Sequence, residues 1–555
     1  GLSATVLVNM KSHSSSSYTN TLSPYFYKVM DYTWDPSDPE FFYLELLQKG
    51  TDYIKQGTIN RYSDRTFYFD ARVNYNRRFG EDHTVSGMLM YMQREYRSDV
   101  LPQRNQGLSG RFTYDYQNKY FAEFNFGYNG TERLASGHRF EFFPAMSLGW
   151  AVSNESFWEP LSTAVTHFKI RGSYGLVGSD ETGLLAGAAH FLYINNVNID
   201  GSGIFSTGPY DGVYISKKGP GIEGYAVENA SWERAKKFDI GVDLNLFDQV
   251  SITFDYFHDR RDRILQKRGS WPVIMGYAHA TPWSNIGKVD NKGFELSVNW
   301  KKEIIKDMFV DLRGNFTYTQ NKYVYNDEPD YPYVWQTKTG KPLSCTYGYI
   351  ADGLFEDEDD IRNSPSQKNL GSTVMPGDIK YRDVNGDGAI TTEDQVMLSR
   401  YGGIPRIQYG FGLNWTYKNI DFGVFFNGSA QRTLMIDNIA PFCSDVGNQD
   451  RNLMKFIADN YWSEASPNPE AAYPRLGVNN SQVANNMKPS SFWMRNGNFL
   501  RFKTLELGYS FSFCRIYLSG DNLAVWSPFK LWDPELSYSA YPLQRAINIG
   551  AQFTF

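Results

Sequence analysis

The sequence predicts an all-β fold, a large antiparallel β-barrel that crosses a membrane with strands. Three observations indicate it. Apolar and polar residues alternate with a period of two in segments spread over the whole chain. Aromatic residues are abundant, at 16%, while the mean hydropathy is negative at −0.48. Short turns alternate with long polar loops between the alternating segments.

The alternation is clearest at the end of the chain. Ile547, Ile549, Ala551, Phe553 and Phe555 are apolar, and small or polar residues separate them. A period of two places successive side chains on opposite faces of a β-strand. A barrel needs a last strand that closes against the first, so we interpret Phe553 and Phe555 as a barrel-closing C-terminal signal.

The same pattern recurs in hairpins along the chain. The alternating arms lie at 67–76, 84–96, 111–116, 122–129, 237–246, 250–256, 294–300, 310–318, 409–417, 422–426 and 499–511. Many have about the 9 to 11 residues that a tilted strand needs to cross hydrocarbon. We predict roughly fourteen to sixteen strands, more than an ordinary open sheet holds.

Aromatic abundance on a polar background is typical of strands that face lipid on one side and water on the other, with aromatic girdles at both interfaces. No stretch approaches the ~20 consecutive apolar residues of a membrane-spanning helix. The alternative is a string of soluble β-sandwich domains, including an aromatic-rich carbohydrate-binding one.

Loop lengths also favour the barrel. The turns at 118–119, 248–249 and 418–419 are short, whereas 12–64, 320–405 and 431–498 are long and polar. Short turns on one rim and long loops on the other are the asymmetry of outer-membrane barrels.

Other functional classes lack support in the sequence. The net charge of −6 argues against a nucleic-acid partner. Cys345, Cys443 and Cys514 are widely spaced and form no CxxC pair. No HExxH motif, nucleophile elbow or P-loop occurs, so we predict no enzymatic activity and no catalytic residues. We interpret the acidic run 356–360 as a solvated loop, and an acid/base pair is the less favoured alternative.

One segment, within 376–400 of a long loop, has the spacing of a calcium-binding loop. Its candidate ligands are Asp383, Asn385, Asp387, Ala389 through its carbonyl, Thr391 and Asp394. Oxygen donors at positions 1, 3, 5, 7, 9 and 12 with Gly at position 6 suit a hard cation. The last position is Asp rather than Glu, and the alternative is an Asx-rich turn without metal. Possible Ca²⁺ is the only cofactor predicted, in a structural role.

The long loops also carry tryptophans. Trp283, Trp335 and Trp462 could stack on sugar rings, or could equally anchor the loops by packing. The sequence identifies no substrate-binding residue.

The chain resembles the SusC-type (RagA-type) branch of TonB-dependent outer-membrane transporters over most of its length, from about Arg65 to Phe555. The segments that carry the resemblance are 107–114 with 120–121, 143–150, 169–175, 232–241, 285–293, 376–381, 495–509 and 517–523.

The resemblance implies a barrel of 22 strands in a full-length protein about twice as long, with an N-terminal plug and a TonB-contacting segment. Residues 1–555 would then be its C-terminal barrel portion, with no plug in this chain. It also implies the outer membrane of a Gram-negative, Bacteroidetes-like bacterium, a SusD-like lipoprotein lid over the extracellular loops, and TonB as energy source.

We therefore predict active import of oligosaccharides through the outer membrane. Import of oligopeptides by the same machinery, a passive porin and a secreted glycan-binding β protein are the alternatives. Polar residues on the inward faces of the strands would line a wet lumen. These are Asp70, Arg72, Asn74, Glu123, Asn125, Asp239 and Asp243.

Overall fold

The computed structural model describes residues 1–31, 43–181, 191–207, 215–272, 274, 282–437, 439, 442, 453–477, 480–536 and 540–554. Within them, sixteen strands form one antiparallel sheet, and each strand pairs with the strands that come before and after it in the sheet's numbering. The strands are β1 Leu2–Thr21, β2 Lys55–Phe79, β3 His83–Arg97, β4 Gln103–Tyr116, β5 Tyr120–Thr131, β6 Phe140–Ala151, β7 Val165–Ser179, β8 Glu233–Leu246, β9 Val250–Lys267, β10 Trp283–Ile305, β11 Met308–Tyr325, β12 Ile407–Tyr417, β13 Ile420–Ala430, β14 Phe499–Ser510, β15 Cys514–Trp526 and β16 Ala546–Phe553. The predicted all-β class and strand number are confirmed, and a single sheet of this size replaces the alternative of separate sandwich domains.

Short elements lie in the connections. Pairs of short strands are Phe26–Asp31 with Tyr43–Gln48, Asn196–Thr207 with Ile215–Gly224, Thr346–Gly348 with Val396–Ser399, Ala351–Leu354 with Ile379–Tyr381, and Thr433–Met435 with Met494–Asn496. The helices are α1 Glu358–Arg362, α2 Lys455–Ala458 and α3 Asn480–Val483. Single 3₁₀ turns cover Val152–Asn154, Ser156–Leu161, Val334–Gln336, Lys368–Leu370, Thr392–Asp394 and Ser491–Trp493. No helix among the described residues is long and apolar enough to cross a membrane.

The register of the sheet separates an apolar face from a polar face. Ile240 pairs with Tyr256, Tyr256 with Phe294, and Phe294 with Tyr318, so these side chains share one face. Ile240 remains 44% exposed, and similar side chains repeat around the sheet. A contiguous exposed apolar band is the surface that a membrane barrel offers to lipid.

The two rims of the sheet differ in their connections, as predicted. Turns at 80–82, 117–119, 247–249, 306–307, 418–419 and 511–513, together with 152–164, join strands at the first rim. At this rim Asn118 and Asp248 have positive φ, the conformation of tight hairpin turns. The second rim, called here the long-loop rim, carries 180–232, 326–406, 431–498 and 527–545.

The long loop predicted over 12–64 is shorter than expected. Strand β1 extends to Thr21 and β2 begins at Lys55, because the polar residues between them continue the antiparallel pairing as far as Thr21 with Lys55. The strands therefore extend beyond the lipid-facing band. These extensions are polar on both faces of the strands, so they show no apolar–polar alternation, and the sequence pattern did not predict them as strand.

The two end strands have one neighbour each. Among the described strands, β1 pairs with β2 alone and β16 with β15 alone. Phe553 lies opposite Cys514 on β15, and Phe555 falls outside the described residues. The barrel-closing role of Phe553 and Phe555 therefore stays a prediction.

The largest packed core lies outside the sheet. Residues 326–406, 431–498 and 527–545, called here the loop domain where they are described, bury a cluster that includes Ile379, Tyr381, Phe442 and Trp493. A smaller cluster at the same rim joins Leu134, Phe143, Leu192 and Trp232. The free cysteines among the described residues are Cys345 and Cys514, and Cys443 lies outside them.

Candidate functional site: a charged inner wall beneath the loop domain

The polar face of β7, β8 and β9 carries one cation among three carboxylates. The Arg171 guanidinium lies 3.5 Å from Asp239, 3.1 Å from Asp243 and 2.6 Å from Asp255. Register explains the cluster, because Gly241, between the two β8 aspartates, pairs with Arg171 on one side and Asp255 on the other. Three carboxylates and one guanidinium leave a polar and locally negative wall.

A second cluster of the same kind lies on β13, β14 and β15. Arg515 donates through Nε to Asp421 at 2.9 Å and lies 2.5 Å from Glu506. A cavity of about 460 Å³ is bordered by Asp421 and Glu506 together with Arg313, and another of about 460 Å³ by Glu123 and Arg171. Both cavities belong to the polar face.

The predicted lumen residues lie on this polar face, and several of them pair with one another. Arg72 lies 2.9 Å from Asp70, which is fully buried. Asn125 donates to Glu123 at 2.7 Å, and Arg111 forms an ion pair with the same carboxylate at 2.7 Å. The inner wall is therefore a lattice of paired charges rather than a row of free ones.

Sequence reasoning missed the arginines that organise the wall. Arg171 stands 68 residues before Asp239, and Arg515 stands 94 residues after Asp421. Contacts at such separations follow from strand register, which the alternation pattern alone does not fix. The sequence does contain one signal that could have identified Arg171. It is the one Arg in the segment 169–175, at a position that alternation assigns to the polar face.

The loop domain is held together by a buried network of amides. Gln367 Nε2 donates to Asn485 Oδ1 at 2.8 Å and to the carbonyl of Ile379 at 3.0 Å. Asn486 Oδ1 accepts from the Ile379 amide at 2.8 Å. Both asparagines are fully buried. Buried amides with full sets of partners specify one arrangement, so they fix loop 326–406 against loop 431–498.

A buried ion pair adjoins the network. Arg475 Nε lies 2.7 Å from Asp378, whose carboxylate is fully buried and also accepts from Asn486 Nδ2 at 2.8 Å. Burial raises the pKa of Asp378 above its usual range, and the Arg475 charge opposes this rise. Arg475 thus offsets part of the effect of burial on this carboxylate.

The third long loop is tied to the wall by Arg501 of β14. This side chain is 2% exposed and donates to Asp533 at 2.8 Å and to Glu535 at 2.8 Å. Arg432, just after β13, donates to the carbonyl of Pro534 at 2.7 Å. The loop 527–545 is therefore anchored to β14 by the buried guanidinium of Arg501 and held to the loop 431–498 by Arg432.

The predicted calcium loop is closed by its own hydrogen bonds. Asp383 accepts from the amides of Gly386 at 2.6 Å and Gly388 at 2.8 Å, both glycines at positive φ. Asp394 is fully buried and accepts from the amides of Val384 and Thr391, each at 2.8 Å. The turn thus brings positions 1 and 12 of the pattern into one compact loop.

The side chains of this loop fit a cation by donor type. Carboxylates, an amide oxygen, a hydroxyl and a carbonyl are the ligands that Ca²⁺ prefers. Among the described residues, however, no three Asp, Glu, His or Cys side chains converge closely enough to hold a metal ion. Asp383, Asn385, Asp387, Ala389, Thr391 and Asp394 would hold the ion only after tightening of the loop. The calcium site stays a prediction.

The acidic run 356–360 has a structural explanation. Asp357 caps α1 by accepting from the Asp360 amide at 2.8 Å, and Asp360 pairs with Lys380 at 2.6 Å. The Lys380 charge and local hydrogen bonds lower the pKa of Asp360 against an opposing effect of burial. Carboxylates at a helix N-terminus are stabilised by the helix dipole.

The three loop tryptophans have separate roles. Trp462 is 5% exposed and belongs to the core of the loop domain, so it packs rather than offering a face to a sugar. Trp335 stacks on Tyr333 with ring centroids 4.6 Å apart, and its indole donates to the Glu393 carbonyl at 2.7 Å. Trp283 is the first residue of β10 rather than a loop residue, and the Lys267 ammonium lies 5.6 Å from its ring.

Comparisons with known proteins agree with this architecture. The family described as TonB dependent receptor-like, beta-barrel matches residues 10–523. TonB-dependent receptor P3 of Formosa agariphila is 26% identical over 468 residues, which cover 80% of this chain and 43% of that protein. TonB-dependent receptor SusC of Bacteroides thetaiotaomicron is 24% identical over 470 residues, 80% of this chain and 43% of that protein.

The same similarity holds for the fold. The structure of the RagAB peptide importer in the closed-closed state superposes with a TM-score of 0.66 at 17% identity, covering 100% of this chain and 60% of that one. The chain thus spans less than half the length of the two curated relatives.

Proposed function

This chain belongs to the TonB dependent receptor-like β-barrel family of the outer membrane, and from that premise we propose that it forms the wall and outer loops of an importer for oligosaccharides. The observation that carries the proposal is the pairing of two surfaces. A wall of paired charges around Arg171 and Arg515 lies on the polar face of the same sheet that carries the self-packed loop domain, which Arg501 anchors. A polar wall suits a hydrated oligomeric cargo, and the fixed loops suit a docking platform.

The full-length protein, in this proposal, is energised through TonB and closed by a SusD-like lipoprotein over the long-loop rim. The relatives' names as TonB-dependent receptors support the first point. The loop domain supports the second, because it is a rigid surface with an exposed apolar residue, Val334 at 86%, beside the Tyr333–Trp335 stack. Exposed apolar groups on a rigid surface favour contact with a partner.

Oligopeptides are the second candidate cargo. They are supported by the fold similarity to a structure described as a peptide importer. Oligosaccharides are favoured over peptides by the aromatic stack at the loop surface and by the resemblance to the SusC-type branch. Aromatic rings present flat apolar faces with polar tips, which match the faces of sugar rings.

Uptake by living cells tests the proposal. Cells that carry the full-length protein should accumulate a labelled mixture of oligosaccharides, and deletion of TonB should abolish uptake. A labelled peptide mixture is the parallel arm, and preferential peptide uptake would replace the proposed cargo. Uptake that persists without TonB would replace the importer with a passive porin.

A further inference from the structure

A row of cations lies on the apolar face of β8 to β11, at the long-loop rim. Hydrogen-bonded pairs place Lys236 opposite Arg260, Arg260 opposite Asp290, and Asp290 opposite Lys322. Paired residues share a face, and this row shares the face of Phe238 and Ile240. The basic outer rim, as we call it, consists of Arg234, Lys236, Arg260, Lys288, Lys292 and Lys322.

The basic outer rim has a large excess of positive charge. The carboxylates on the same face are Asp262, 3.0 Å from Lys236, and Asp290, 3.7 Å from Arg260. Arg234 pairs with Glu141. Lys288, Lys292 and Lys322 are exposed, and within the described part of the chain no carboxylate lies within 4 Å of their ammonium groups. Three lysines are therefore available to an external anion in a chain that is acidic overall.

A bulge in β9 adds another cation. The pairing with β10 shifts between Arg261 and Ile264, and Arg263 has φ of +58°. Asn285 holds the bulge, because its Nδ2 donates to the carbonyls of Arg263 at 2.9 Å and Ser231 at 3.0 Å. Bulges re-aim side chains. Here Arg263 borders a cavity of about 510 Å³ together with Arg234, Lys236, Asp262 and Lys288, and Arg263 and Arg234 share Glu141 as an ion-pair partner.

The position of these cations relative to lipid decides what they meet. Lys236 lies two residues beyond Phe238 on β8, Lys292 and Lys288 lie two and six residues beyond Phe294 on β10, and Lys322 lies four residues beyond Tyr318 on β11. At about 3.3 Å per residue and a tilt near 45°, this is roughly 5 to 14 Å past these rings of the apolar band. That depth is occupied by lipid headgroups rather than acyl chains.

The patch differs from the rest of this rim in having unpaired cations. On β12 and β13 the corresponding end of the apolar face holds Ile407 opposite Ala430 and Tyr409 opposite Gly428. On β2 to β4 the same end holds Arg65 opposite Arg97, and Arg104 there pairs with Glu95 and Glu132. The three lysines of β10 and β11 have no such carboxylate partner among the described residues, which points to an external anion.

We propose that the basic outer rim binds the phosphate groups of glycolipids in the outer leaflet, with Lys288, Lys292 and Lys322 as the main contacts and Arg263 and Arg234 bordering the cavity beside them. Basic residues at a membrane surface attract anionic headgroups, and their contributions accumulate with each cation. The proposal rests on the outer-membrane location and does not depend on the cargo. A negative result for lipid binding therefore leaves the proposed import unaffected, and a negative result for uptake leaves the lipid site unaffected.

The test uses the full-length protein in detergent, with diphosphorylated lipid A as probe and native mass spectrometry as readout. Wild type should retain diphosphorylated lipid A in preference to the dephosphorylated lipid. The triple variant Lys288→Glu, Lys292→Glu, Lys322→Glu should retain it about tenfold less or weaker still. Equal retention by wild type and the triple variant would overturn the proposal.

Two matched controls separate position from charge. Lys237→Glu changes an exposed lysine next to Lys236 on the opposite face of β8, and Lys302→Glu changes one on β10 at the short-turn rim. Both should retain the lipid as wild type does, and loss in either would contradict the assigned surface. Inorganic phosphate should not compete at millimolar concentration, since competition would indicate a site for soluble anions instead.

Discussion

The sheet and the loop domain expose and bury their apolar side chains in opposite ways. On the wall, Ile240 and Phe254 remain 44% and 40% exposed, while in the loop domain Ile379 and Trp493 are completely buried. The wall therefore depends on lipid to cover its apolar band, whereas the loop domain carries its own core. In the proposed importer, function is divided accordingly: the wall forms the passage and the membrane contact, and the loops form a rigid surface.

The largest expected effect is in the core of the loop domain. Trp493→Ala removes a fully buried ring that packs against Phe442 at 5.2 Å and donates to the Asn486 carbonyl at 2.8 Å. Loss of a buried Trp costs about 3–5 kcal/mol. Hydrogen exchange should accelerate across 349–381 and 480–493, while the sheet keeps its protection.

The matched change on the wall sharpens the comparison. Phe254→Ala removes a ring of the apolar face, but acyl chains or detergent fill the space, so we expect a cost below about 1 kcal/mol. Heat-modifiable migration should show both variants still folded as barrels. Equal losses for the two variants would mean that the wall and the loop domain do not differ in how they are stabilised.

The second effect is electrostatic and confined to the loop domain. Arg475→Leu leaves the Asp378 carboxylate buried without its cation, which costs about 3–5 kcal/mol when the group is charged. Because burial already raises the pKa of Asp378, the folded loop domain binds this proton more readily than the unfolded chain. Stability therefore falls as pH rises above the ordinary Asp pKa of about 3.9.

The pH dependence distinguishes this mechanism from simple loss of packing. The destabilisation of Arg475→Leu should be larger at pH 7 than at pH 4, measured as the melting temperature of the loop domain. Arg475→Lys is the control, since it keeps a charge near Asp378 and should lose less. A destabilisation equal at both pH values would show that Arg475 does not change proton binding by Asp378 and that the loss is one of packing.

Calcium is the third test, and it also concerns the loop domain alone. If the 383–394 loop binds Ca²⁺, stabilisation should reach about 2.7 kcal/mol at a free concentration 100 times Kd. Asp387→Ala should abolish that gain and leave the protein in chelator unchanged. Calorimetry with and without calcium measures both, and a calcium-independent loss in Asp387→Ala would support the Asx-turn interpretation instead.

The sequence predicted the wall better than the loop domain, for a physical reason. Alternation with a period of two is local, so strands such as β8 and β16 are visible in ten residues. The core around Trp493 joins loops more than 100 residues apart, as in Gln367 with Asn485, and no local pattern encodes such a contact. For the same reason the sequence did not predict the contacts of Arg171 and Arg515 on the wall. It also did not predict the pairing that extends β1 into a segment expected to be a loop.

The smallest expected effect is on the polar face of the wall, where water screens each charge. Arg171→Gln removes the cation between Asp239, Asp243 and Asp255, all partly exposed. Partly exposed ion pairs contribute up to about 1 kcal/mol, so the melting temperature in detergent should fall slightly. The fall should grow at low ionic strength, because the three carboxylates then repel one another without screening. Arg475→Leu, buried and dry, should show almost no salt dependence, and a similar salt response in both variants would mean that the inner wall is as dry as the loop core.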